Sequence, residues 1–318
     1  MGASIMRSSL GVAAMAAVVL TTAPALAADP ASCQKVTFSD VGWTDITATT
    51  AAASVVLDAL GYEPKTQILS VPVTYASLKN KDVDVFLGNW MPSMAADLKP
   101  YTDDGSVVSL TANLEGAKYT LAVPTYVAEA GVKSFADLAA NKAKFDGKLY
   151  GIEPGNDGNR LIQDMIDKDA FGLKGWEVVE SSEQGMLSQV ARAARGKEWI
   201  VFLGWAPHPM NANFDLTYLA GGDDFFGPDY GGATVYTNVR TGLTKECPNL
   251  GKLVTNLKFT LAMENAVMGS ILDDGMQPEK AAAKYLKANP DLAMSWLDGV
   301  TTFKGDDAKK AVAAKLGL

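Results

Sequence analysis

Val85-Phe86-Leu87-Gly88-Asn89-Trp90-Met91-Pro92 and Val201-Phe202-Leu203-Gly204-Trp205-Ala206-Pro207 are two versions of one phrase. In each, three apolar residues suit a strand buried on both faces. The glycine is expected to let the backbone turn, and the proline to stop the strand from running on. What remains is an indole at a strand's carboxyl end, where open α/β sheets bind their ligands. Two such ends in one chain predict two similar lobes, each offering a tryptophan to a shared cleft. Two core strands with edge tryptophans would give the same phrase, so the decision falls to the residues around it.

A length of 318 residues suits two domains, and 48 % apolar with 20 % charged residues suits a sizeable core. The start of the chain reads as a secretory signal peptide over 1–27. Arg7 is followed by an apolar run over 10–20 and by Ala25-Leu26-Ala27 as a small-residue cleavage site. That run is too short to span a bilayer, and a soluble periplasmic chain starting near Ala28 is expected. Loss of Arg7 takes the net charge from −8 to about −9, which argues against a nucleic-acid partner. Cys33 and Cys247 are the only two cysteines. In an exported chain they are expected to be joined, which puts the start of the mature chain and a distant segment in one lobe.

Outward from the first phrase, strands over 35–39, 66–71 and 83–87 alternate with helices over 45–60 and 75–80. Thr44 or Asp45 is the expected N-cap of the first helix and Gly61 its stop. Around Gly116 the pattern restarts, with strands over 119–123, 149–152, 176–180 and 216–219. Ser134-Phe135-Ala136-Asp137 reads as a capping box opening a helix, and Glu153-Pro154-Gly155-Asn156-Asp157-Gly158 as a turn feeding a helix over 160–167. After a strand over 235–239 the chain reads as helical. The expected architecture is α/β: lobe one over 28–115 and 225–318, lobe two over 116–224, each a mostly parallel sheet flanked by helices. Two hinge crossings, near 115–116 and 220–232, would join them.

The inventory of reactive groups is thin. His208, the single histidine, lies between Pro207 and Pro209 and reads as a loop residue. With the cysteines paired there is no thiol nucleophile, no His/Cys metal cluster and no expected cofactor. At predicted strand ends stand Trp43, Asp45, Trp90, Tyr119, Asn156 and Trp205. Aromatic faces attract a cation that lacks hydrogen-bond donors, at about 2 kcal/mol per desolvated ring. Asp45 also suits a plain helix cap, and Asn156 a plain turn. Trp176, Trp199 and Trp296 are assigned to packing.

Gly42-Trp43-Thr44-Asp45, the two tryptophan phrases and Gly155-Asn156-Asp157-Gly158 resemble the substrate-binding proteins of ABC importers for choline and betaines, most closely those that take choline. The likeness runs over the whole mature chain. It implies a type II periplasmic-binding-protein fold, no enzymatic activity, a monomer and a separate membrane permease as partner. It further implies an aromatic box of Trp43, Trp90, Tyr119 and Trp205, with Asp45 and Asn156 as polar contacts. Choline is the expected ligand, with acetylcholine or a betaine weaker, because Asp45 would repel a betaine carboxylate. A glycine betaine binder and an exported choline-ester hydrolase are the alternatives.

Overall fold

The computed structural model describes residues 1–2 and 29–318. The segment expected to be a signal peptide, with its cleavage site after Ala27, lies outside the described residues apart from its first two positions. One sheet runs through the molecule in the order β2-β1-β3-β9-β4-β7-β5-β6, with β8 on the far end of β4. Its first side holds β1 (Lys35–Asp40), β2 (Glu63–Ile68) and β3 (Val85–Met91), paired in parallel. Its second side holds β5 (Lys148–Tyr150), β6 (Glu177–Val179) and β7 (Phe202–Ala206), also parallel. Two long antiparallel strands, β4 (Val107–Pro124) and β9 (Gly232–Arg240), join the sides, and β8 (Leu216–Tyr218) adds to the end of β4.

The expected restart at Gly116 is therefore no loop. β4 passes through it unbroken, with register shifts around Leu114 and Ala117. Gly116 has φ +77°, so it absorbs a bulge that bends the strand instead of ending it. β4 then leaves β9 for β7 at Lys118, which sets Tyr119 opposite Trp205. Residues opposite each other in an antiparallel pair project on the same face.

The tryptophan phrases also differ from expectation. Trp90 and Trp205 lie inside β3 and β7, one residue before each strand ends, and both following X–Pro peptides are cis. Gly88 does not turn the chain. A Cβ there would stand 2.7 Å from Ile46 Cγ1, so the glycine lets the Thr44–Ala59 helix pack close on β3. Gly204 leaves similar room for Ala122 and Tyr218. The Thr44–Ala59 helix has Trp43 at its N-cap position, whose side chain makes no capping bond; Thr44 and Asp45 lie inside the first turn, so neither is the cap that was expected. Gly61 closes it at φ +90°, as read.

Smaller boundaries shift. β2 stops at Ile68 because Ser70-Val71-Pro72 starts the Val71–Asn80 helix. The Ser134/Asp137 capping box forms but opens a 3₁₀ turn. The Pro278–Ala288 helix ends before Pro290, which opens the Pro290–Trp296 helix. Cys33 and Cys247 are joined across a Cα–Cα distance of 5.8 Å. No helix among the described residues is long and apolar enough to cross a membrane.

Candidate functional site

Where the two sides of the sheet face each other, a small cavity of about 20 Å³ is lined by Trp43, Asp45, Trp90, Tyr119, Ile152, Asp157 and Trp205. Trp43 and Asp45 come from the entry to the Thr44–Ala59 helix, and Trp90 from β3. Tyr119 and Trp205 come from β4 and β7, Ile152 follows β5, and Asp157 opens the Asp157–Asp167 helix. Tyr119 is the centre of the aromatic wall. Its ring centroid stands 6.1 Å from Trp90 and 6.3 Å from Trp205, both edge-on, with Phe226 behind it at 5.8 Å.

The polar tips of these rings are tied back into the protein. Trp43 Nε1–H donates to Glu153 Oε1 at 2.9 Å, and Trp90 Nε1–H donates to Asp45 Oδ2 at 3.1 Å. Tyr119 O–H donates to Asn156 Oδ1 at 2.9 Å. Each anchor satisfies a buried donor and fixes the ring, leaving the cavity to aromatic surface. Gly158 is required beside Tyr119, since a Cβ there would lie 2.0 Å from the phenol oxygen.

The electrostatics are one-sided. Asp45 and Asp157 are the charged residues of the lining, and no lysine or arginine joins them. Burial pushes the Asp45 pKa up to about 8, helped by the negative charge of Glu183. Burial likewise raises Asp157 to about 7, with the nearby Ser93 hydroxyl pulling the other way. Asp45 Oδ1 and both Asp157 oxygens nonetheless lie out of hydrogen-bonding geometry with any protein group. Glu264, fully buried behind Asp45, is pushed well above the ordinary range by burial and by that neighbour. Glu153 is also raised, chiefly by burial. Buried carboxylates without donors are costly unless a positive charge meets them.

Five of the six residues singled out from sequence thus line one cavity: Trp43, Asp45, Trp90, Tyr119 and Trp205. Asn156 does not. It caps the Asp157–Asp167 helix by accepting from the N–H groups of Gly158 and Asn159, and it holds Tyr119 and Glu153. The carboxylate beside it, Asp157, takes the wall position that sequence reasoning gave to Asn156. The signal was present in Asn156-Asp157-Gly158: an N-cap asparagine places the next residue at the first helical turn. Glu183 and His208 were missed as well. His208 does lie in the loop after β7, as read, but it is buried there and stacks edge-on against Trp205 at 5.0 Å.

Residues 34–288 match the family described as the substrate binding domain of ABC-type glycine betaine transport systems. The fold is similar to that of an ABC-transporter choline binding protein in complex with choline: TM-score 0.90, 66 % identity, 91 % of this chain and 100 % of that one. An ABC-transporter choline binding protein in an unliganded semi-closed conformation superposes less well, at TM-score 0.83, with 66 % identity over 90 % of this chain and 100 % of that one. The glycine betaine/carnitine transport binding protein of Listeria monocytogenes is 34 % identical over 166 residues, about half of each chain at 52 % and 54 %. The sheet of two parallel sides joined by β4 and β9 is that of the type II periplasmic binding proteins.

Proposed function

The chain belongs to the family of substrate-binding domains of ABC-type glycine betaine transport systems, and from that premise we propose that its ligand is choline. It takes the cation into the cavity between two lobes, over 28–115 with 225–318 and over 116–224, and presents the closed form to a membrane permease. Export by the 1–27 segment and a periplasmic location belong to the same reading.

One observation carries the choice of ligand: two buried carboxylates with unmet oxygens stand in an aromatic cavity whose lining has no basic side chain. A quaternary ammonium cannot donate hydrogen bonds, so it suits ring faces. Its charge relieves Asp45 and Asp157, and choline's hydroxyl can donate to one of the unmet oxygens. Glycine betaine would bring its own carboxylate toward these groups with no lining Arg or Lys to receive it. Trp43, Trp90, Tyr119 and Trp205 would hold the trimethylammonium group, Asp45 and Asp157 would supply the charge, and Asn156 would act by fixing Tyr119. Four ring contacts gross roughly 8 kcal/mol, the order needed for a micromolar site before association costs.

Isothermal titration of choline, acetylcholine and glycine betaine against the mature chain tests the reading. Choline should bind most tightly. Tighter binding of glycine betaine would overturn the choice of ligand, and turnover of acetylcholine by the pure protein would favour a hydrolase.

A further inference from the structure

Among the described residues, an exposed bond from Asn213 Nδ2–H to Asp273 Oδ1 at 3.2 Å and three further polar contacts bridge the two sides of the molecule; these three concern the cleft. Trp43 with Glu153 belongs to the cavity wall, and Arg160 reaches Ser93 O and Asp97 at its edge. The third touches no ligand-facing group. The Glu183 carboxylate, with its side chain 0 % exposed, accepts from the Thr44 backbone N–H at 2.9 Å and from the Thr44 hydroxyl at 2.5 Å. Its third partner is His208 Nε2 at 3.2 Å. Met210 N–H donates to His208 Nδ1 at 2.9 Å, so the ring proton lies on Nε2 and points at Glu183. Thr44 opens the Thr44–Ala59 helix, which lacks a cap of its own, while Glu183 opens the Glu183–Gly196 helix on the other side. The carboxylate of one side therefore caps a helix of the other, meeting its orphan N–H and the positive end of its dipole. His208, held by the same carboxylate, backs Trp205.

We propose that Glu183 is a positioning residue for ligand capture: a cap supplied across the cleft that locks closure and, through His208, sets the Trp205 ring. With the lobes apart, Thr44 loses this acceptor to water and Glu183 keeps only the partners of its own side, His208 and Gln184. The lock therefore contributes to the closed, loaded form and adds little to the open one. It lies behind the aromatic wall, so it acts through closure and the setting of Trp205, and its largest effect is on residence time. Neighbouring Glu183 charge also bears on Asp45, which makes Thr44→Val the cleaner variant, since it removes one donor and leaves every charge in place.

This rests on the proposed quaternary-ammonium function, so choline and glycine betaine are both titrated against wild type, and the lock is read with whichever binds. Stopped-flow tryptophan fluorescence on Thr44→Val should show koff raised about tenfold or more, with kon changed less than about twofold. The melting temperature of the ligand-free variant should stay within about 2 °C of wild type, while its ligand-induced rise shrinks. Glu183→Gln should slow nothing and should be less than additive with Thr44→Val. An unchanged koff in Thr44→Val overturns the lock, as does an equal loss of melting temperature with and without ligand. Wild type that prefers glycine betaine refutes the choice of choline while the lock is still read; wild type that binds neither refutes both.

Discussion

Asp45→Asn isolates charge from shape at the cavity. Asparagine keeps an oxygen for the Trp90 Nε1–H bond, now 3.1 Å from Asp45 Oδ2, and occupies the same volume. What it loses is a carboxylate whose pKa burial raises to about 8. The pKa values of Asp45 and Asp157 are raised by burial, so their protonated forms suit the folded site as it stands. That site loses stability as pH climbs from the ordinary carboxylate range through about 7 and about 8. A bound cation reverses the preference and expels the protons. At pH 7 choline should then release most of a proton from Asp45 and part of one from Asp157. Between pH 6 and pH 8 its affinity should rise by at most about 50-fold through Asp45 and about tenfold more through Asp157. These are ceilings, because opening the cleft rehydrates both groups. In Asp45→Asn only the Asp157 component should survive. Titration calorimetry in buffers of different ionisation enthalpy counts the protons directly. A flat affinity from pH 6 to pH 8 with no proton release in wild type would refute the reasoning, and a falling affinity would point to a ligand that carries its own carboxylate.

Other expectations rest on single contacts. Trp205→Ala removes one ring of the wall and should weaken choline binding at least tenfold, from about 2 kcal/mol per desolvated ring, as read by calorimetry. Gly158→Ala puts a methyl group where the Tyr119 hydroxyl now sits, 2.0 Å from the oxygen. It should displace that ring and weaken binding by about tenfold or more while the chain stays folded; unchanged affinity would show that Tyr119 is free to move. Cys33 and Cys247, 214 residues apart, should resist alkylation until reductant is added. Reduction should cost up to about 5 kcal/mol in denaturant midpoint experiments.

The aromatic wall was legible because its residues stand at ends of elements that local pattern already marks. A strand that stops beside a proline, or a helix that starts after glycine, fixes where the next side chain can point. Trp43, Trp90 and Trp205 each stand at such an end, and Tyr119 follows the glycine bulge of β4. The roles of the neighbouring residues depended on register. Whether Asn156 or Asp157 faces the cavity turns on a single helical position, and the sequence left the helix start three residues late. The glycines of the tryptophan phrases looked like turns because sequence shows flexibility and not the Ile46 side chain packed against Gly88. Long-range partners were out of reach. Nothing local ties Thr44 to Glu183, 139 residues away. Nor does periodicity tell that the crossing at Gly116 is a continuous strand, since a bulge and a loop share the same residues.

A crystal structure of the mature chain grown with choline is the most direct trial. The account predicts one trimethylammonium group in the cavity, its nitrogen within about 6 Å of the ring centroids of Trp43, Trp90, Tyr119 and Trp205, with its hydroxyl on Asp45 or Asp157. Choline seated elsewhere, or a cavity that stays empty at saturating ligand, would contradict it.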